Sequence, residues 1–444
     1  MNSRLATKIY LIFLIVPVVL LIACGIYAIK NKDVTPPEPL PPLETPILPE
    51  EPAEDDSTHL QSPIVSETPQ DTQTPDEDDS HVLKQRSFLP DSEHVRPLGR
   101  TLYVNDSLWI PLSASGLEFT YFGTSLTVEM IGDDSCKQEN GEPVGSPTVR
   151  PCFVIEVDGQ EVLRDQLAAL STSYDLLTEE TQAADHTVRI LKISEAHFST
   201  CGVGEIKATC VGEIKPTAEK KYFVEFIGDS ITAAYGSDDP EAGHSYNTFS
   251  QDARKSYAYV TAKNMDFDWS LVCYSGYGVC SGMTASGEKN LDLCLPRYYD
   301  KLARCMFTYQ GLDPLNYNWT SPREPDVVVL MLGTNDESYV AQNPDRIKEF
   351  SKDYSAFLNH LRSLYPNAYI LCGSGVMDDN SAWTIQNAYF DYINEIGNSD
   401  NISLHRFKKM DPANDGYGAG FHPSIVTHQK VAEELWYELQ TILR

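Results

Sequence analysis

The chain has 444 residues, enough for two ordinary domains and a further segment. Its 34 Lys and Arg stand against 64 Asp and Glu, a formal net charge of −30 that excludes a role built on holding nucleic acid or another polyanion.

Tyr10 to Ile29 is an uncharged, apolar run of 20 residues, long enough to cross a hydrocarbon core of roughly 30 Å as a helix. Arg4 and Lys8 precede it, so residues 1–32 read as a signal-anchor that leaves everything after Lys30 outside the cytoplasm. Leu21-Ile22-Ala23-Cys24 offers an alternative, cleavage and lipidation at Cys24, with the same topological outcome. Residues 33–95 hold 16 acidic and 2 basic side chains and 12 of the 28 prolines, a composition predicted to form a disordered, self-repelling tether.

From 96 to 216 the apolar pattern has period two. Leu126, Val128 and Met130 alternate with polar residues, and Phe153 to Val157 runs through Asp158-Gly159, a hairpin signal. His186 to Ile193 and Gly204 to Val211 complete the pattern of a β-sandwich. Nine cysteines follow the tether; in an exported chain they suggest disulfides, with Cys136–Cys152, Cys201–Cys210 and Cys294–Cys305 near enough in sequence to bridge and Cys372 buried and unpaired. No Cys-x-x-Cys pair supports a metal site.

Residues 220–444 have a different texture. Tyr222 to Ile227, Asp326 to Leu332 and Ala368 to Cys372 are nearly unbroken apolar runs, as in strands buried on both faces of a parallel sheet. Ile347 to Leu364, Trp383 to Ile396 and Ser424 to Leu443 are helical candidates, giving a three-layer α/β/α domain. Polar clusters follow two of the strands: Gly228-Asp229-Ser230-Ile231-Thr232 and Gly333-Thr334-Asn335-Asp336. In open α/β sheets reactive groups gather beyond the carboxyl ends of the strands. A third element, His422, sits in a glycine-rich loop before the last helix, so a hydroxyl, an amide donor and an imidazole in this order suggest an acyl-transfer site. Gly278-Val279-Cys280-Ser281-Gly282 imitates a nucleophile elbow but follows no clear strand.

These blocks, together with Tyr274-Ser275-Gly276-Tyr277-Gly278, resemble the SGNH (GDSL-type) hydrolases. The junction Val224 to Thr232, the closing Phe421-His422-Pro423-Ser424 and the β-sandwich ahead of them are most similar to carbohydrate esterase family two, over roughly 97–444. The resemblance implies an SGNH-type parallel sheet preceded by a jelly-roll-like sandwich, and a Ser-His esterase acting on O-acetylated carbohydrate such as xylan. It implies Ser230 as nucleophile, His422 as general base, and an oxyanion hole of the Ser230 N–H, the Gly278 N–H and the Asn335 side chain, with Gly276 two residues from Gly278 in the same loop. Many family members keep an acid three residues before the histidine; here that residue is Ala419. A backbone carbonyl is then expected to hold the imidazole, with Asp415 as a possible third member. Phe421 and Asp336 are candidate substrate contacts, and no cofactor or metal is implied. The rival readings are a non-catalytic carbohydrate-binding surface protein and a lipase or thioesterase of the same superfamily.

Overall fold

Alternation of fully buried and outward-facing residues drives the first half of the fold. In the strand Gly116–Gly132 the side chains of Leu126, Val128 and Met130 are all fully buried, and the strand bends far enough to pair with Ala184–Lys192 at one end and Ser171–Leu177 at the other. The computed structural model describes residues 82–178 and 182–444, which belong to one compact unit. The apolar run at Tyr10 to Ile29, Cys24 and the tether as far as residue 81 lie outside the described residues. Among the described residues no helix is long and apolar enough to cross a membrane.

Two expectations are corrected. The tether does not extend to residue 95: Lys84–Phe88 is a strand paired antiparallel with Cys201–Pro216, because the proline- and acid-rich composition has ended and Phe88 and Val95 are apolar enough to enter the core. In the β-rich region ten strands join in one hydrogen-bonded antiparallel network that turns on the long strands Gly116–Gly132 and Cys201–Pro216, the latter bulged at several points, and Gln138–Glu139 pairs separately with Glu142–Pro143. The nine described cysteines are free thiols. Cys201 and Cys210 lie on one extended strand, roughly 25–30 Å apart where a disulfide needs Cα atoms about 6 Å apart. Cys136 enters the core of the β-rich region while Cys152 faces the core shared with the second half. Cys294 turns its sulfur to the Cys280 carbonyl at 3.1 Å, and Cys305 to the Tyr309 hydroxyl at 3.4 Å.

The second half is a five-stranded parallel sheet ordered Asp268–Cys273, Phe223–Gly228, Val327–Met331, Tyr369–Gly375, Ile402–Phe407. Its strands bury both faces. Val328 and Leu330 pack with Phe350, Phe357 and Ile385 of the helices Pro344–Leu364 and Asp379–Ile396. Val327, Val329 and Met331 pack with Tyr257, Val431 and Leu435 of the helices Tyr257–Asn264 and Ile425–Ile442. The strand order reverses between Phe223–Gly228 and Val327–Met331, so their carboxyl ends open onto the crevice where ligands bind in such sheets.

Candidate active site

The two polar clusters meet at that crevice. Phe223–Gly228 ends at a glycine because an added Cβ would lie 2.0 Å from Thr232 Oγ1 and 2.8 Å from the Met331 carbonyl oxygen. Asp229 then caps the single helical turn Ser230–Ala233 by accepting from the Ile231 N–H at 3.0 Å, and Ala234 closes the turn in the left-handed region. Ser230, the first residue of that turn, is 5% exposed.

His422 Nε2 lies 2.9 Å from Ser230 Oγ, and His422 Nδ1 lies 3.1 Å from the Gly420 carbonyl oxygen. The carbonyl reaches the ring because Gly420 adopts φ 63° and ψ 27°, a backbone state that glycine enters without strain. The Tyr235 ring covers the imidazole, with centroids 4.1 Å apart. Burial pushes the His422 pKa down to about 4, with the backbone carbonyls opposing it. At neutral pH the ring is therefore uncharged; hydrogen bonding of Nδ1–H to Gly420 leaves Nε2 as the acceptor facing the serine.

Asp415 does not enter this arrangement. Its carboxylate is held by Lys430 Nζ at 2.5 Å on the last helix, and its backbone carbonyl accepts from Ser424 Oγ at 2.7 Å. The expected role of Asp336 as a sugar contact is also corrected. Asp336 is fully buried, and its two oxygens accept from the N–H groups of Val279 at 2.9 Å, Cys280 at 2.7 Å and Ser281 at 2.8 Å, which leaves no face toward a ligand. Phe421 is 41% exposed beside His422, with its ring edge-to-face against Tyr417.

The oxyanion side differs from expectation at one residue. The Gly278 N–H donates to the Leu293 carbonyl at 3.0 Å, and Gly278 is a glycine because a Cβ would fall 2.4 Å from Asp336 Oδ2. The Ser230 and Gly276 N–H groups have no hydrogen-bond partner among the described residues. Asn335 Nδ2 bridges the two loops, 2.9 Å from the Tyr277 carbonyl and 3.3 Å from Asp229 Oδ2. Burial raises the carboxyls of Asp229 and Asp336 to about 7.

Tyr235 and Gly420 were legible only as neighbours of motif residues, and Gly276 as the second glycine of its block. Cys280, Glu349 and Asp353 bring ligand atoms within 4.8 Å of one another, yet Lys289 Nζ stands 2.8 Å and 3.0 Å from the two carboxylates and supplies the cation they need.

Residues 224–435 match the family model of the GDSL-like lipase/acylhydrolases. The chain is 29% identical over 387 residues to cellulase/esterase CelE of Acetivibrio thermocellus, covering 84% of this chain and 41% of that protein. It thus spans about two-fifths of that relative's length. An acetylxylan esterase/glucomannan deacetylase of Cellvibrio japonicus is 24% identical over 353 residues, covering 79% of this chain and 89% of the relative. Among solved structures, the acetyl xylan esterase Est2A of Butyrivibrio proteoclasticus aligns with a TM-score of 0.69 at 22% identity, over 82% of this chain and 99% of that one. A family two carbohydrate esterase of Clostridium thermocellum, solved with cellohexaose, aligns with a TM-score of 0.66 at 23% identity, over 79% and 99%. The family match makes residues 224–435 a GDSL-type (SGNH) lipase/acylhydrolase domain.

Proposed function

We propose that the protein is a serine esterase that removes acetyl groups from O-acetylated carbohydrate, with Ser230 as nucleophile and His422 as the base. The observation that carries this reading is the 2.9 Å contact between Ser230 Oγ and His422 Nε2, with Nδ1 held by the Gly420 carbonyl. The relatives named as acetylxylan esterases and glucomannan deacetylases support the substrate class.

In this mechanism Ser230 Oγ attacks the ester carbonyl carbon as its proton passes to His422 Nε2. The imidazolium that results shares its Nδ1–H with the Gly420 carbonyl. Negative charge on the former carbonyl oxygen meets the Ser230 and Gly276 N–H groups, and Asn335 Nδ2 turns to it by giving up its longer contact, the one to Asp229. Collapse expels the sugar oxygen, which takes the proton from His422, and leaves acetyl-Ser230. Water then gives its proton to His422 as it attacks the acyl carbon; acetate departs and the serine regains its proton. Phe421, exposed at the edge of the histidine, offers an apolar face to the acetyl group or the sugar ring.

The test is acetate release from p-nitrophenyl acetate and from a panel of acetylated polysaccharides. Ser230→Ala is expected to lose at least about a thousandfold in kcat; activity that survives that change excludes the nucleophile, and a preference for long acyl chains would replace the acetyl esterase by a lipase. A location outside the cytoplasm rests on the Tyr10 to Ile29 run and the basic residues ahead of it. It is checked by protease accessibility in intact cells.

A further inference from the structure

The connection between the strands Ala184–Lys192 and Cys201–Pro216 reaches out of the β-rich region and touches both halves of the site. Its base is fixed. Lys192 Nζ, fully buried, donates to the Ser194 carbonyl at 2.6 Å, and the Thr200 N–H donates to the buried Asp133 carboxylate at 2.7 Å.

On one side of the connection, Glu195 is fully buried and accepts from the Ser275 N–H at 2.6 Å and from Ser275 Oγ at 2.5 Å. Ser275 immediately precedes Gly276, whose N–H is unpartnered among the described residues and whose carbonyl accepts from the Met283 N–H at 2.7 Å. The peptide group carrying the free N–H is therefore anchored on both flanks. On the other side, the Phe198 ring stacks on Tyr246 at 4.7 Å, Tyr246 on Tyr235 at 4.5 Å, and Tyr235 lies against His422 at 4.1 Å. The planes are inclined by 22°, 27° and 33°, so four rings form one continuous column that ends on the imidazole.

We propose that Glu195–Phe198 is the β-rich region's own contribution to the active site, in which Glu195 positions the oxyanion loop through Ser275 and Phe198 positions His422 through the Tyr246–Tyr235 column. An oxyanion donor acts only when held at hydrogen-bond distance from the place where charge develops, and a displacement of about 1 Å costs about 100-fold. With no carboxylate on His422 Nδ1, the ring's orientation depends on one carbonyl and on the column packed against its face.

This inference rests on the Ser230–His422 esterase reading, and the experiment separates the two. In the full chain, loss of activity in Ser230→Ala establishes the reading first; retained activity there would sink the reading, whatever Glu195 does. Glu195→Ala is then expected to lower kcat about 30- to 100-fold with KM within about twofold, and Glu195→Gln, which keeps an acceptor and the shape, to recover most of it. Ser275→Ala is expected to cost less, and to add nothing to Glu195→Ala in the double variant, because the hydroxyl's partner is already gone. Unchanged kcat in Glu195→Ala, or effects of Glu195 and Ser275 that multiply independently, overturns the role of Glu195. If Glu195→Ala does not fold, the milder Phe198→Leu carries the test: a three- to tenfold loss of kcat at constant KM supports the column, and wild-type kcat overturns it.

Discussion

The Gly420 carbonyl occupies the place where an acid would stand, and it holds Nδ1 without adding a charge. A buried imidazole paired with a carboxylate would have its protonated form stabilised; here burial prevails and the pKa falls to about 4. As the proposed base, His422 must be neutral to act, so kcat/KM is expected to rise with pH through an apparent pKa near 4 and to be level by pH 6; a limb near the usual histidine value of about 6.5 would show a hydrated site. Asp415→Asn is expected to leave kcat within about twofold, since its carboxylate serves Lys430, and a loss of 100-fold or more would restore it as a triad member. Gly420→Ala places a Cβ 3.0 Å from Tyr235 Cε1 and 3.4 Å from His422 Nδ1 at a positive φ, so kcat is expected to fall about tenfold or more at nearly constant KM. The positions of Ser230, His422 and Asn335 were readable in the sequence because each stands in a short block after an apolar strand or before a helix. The acceptor for Nδ1 was not readable as a residue type, since any residue has a carbonyl and only the left-handed turn at Gly420 aims it.

At the scale of elements, the proposed oxyanion loop is held as a unit. Asp336 gathers three consecutive N–H groups, and Gly278 allows its carboxylate to approach the backbone. Asp336→Asn keeps one acceptor oxygen and turns an NH2 group toward N–H donors, leaving buried groups unsatisfied. A loss of about 2–3 kcal/mol in urea unfolding is expected, together with a fall in kcat; unchanged stability would mean that the loop does not depend on this cap. Gly-Thr-Asn-Asp was legible as a functional block, but the division of labour within it was not, because an acid beside a pocket and an acid beneath a loop have the same sequence context. The strands show the same limit. Val327–Met331 stands out as five successive buried apolar residues. Asp268–Cys273 and Ile402–Phe407, at the two edges of the sheet, carry Asp268 and Ser270, or Ser403, His405 and Arg406, and their polar residues hide the pattern that central strands display.

Across the whole molecule, the boundary near residues 216–220 marks a change of architecture and not a place where the fold can be divided. Leu98, Ala114, Val154, Leu191 and Ile193 of the β-rich region share one buried cluster with Val224, Phe226 and Leu271 of the parallel sheet. Ion pairs line the same seam: Arg96 with Asp268 at 2.5 Å, and Arg254 with Glu156 at 3.0 Å and with Glu161 at 2.6 Å. The Trp269 indole N–H also donates to the Ala114 carbonyl at 2.9 Å. A sequence records that a strand face is apolar but not which partner covers it, so periodicity locates both regions and cannot show that each completes the other's core. Removing residues 1–219 would expose that apolar cluster and leave Arg254 without Glu156 and Glu161. The fragment 220–444 is therefore expected to aggregate or to bind a hydrophobic dye without a cooperative unfolding transition, whereas residues 82–444 unfold in one. A fragment that melts cooperatively and still hydrolyses acetate esters would show that the acylhydrolase domain closes its own core, and would also remove the need for Glu195 and Phe198 at its active site.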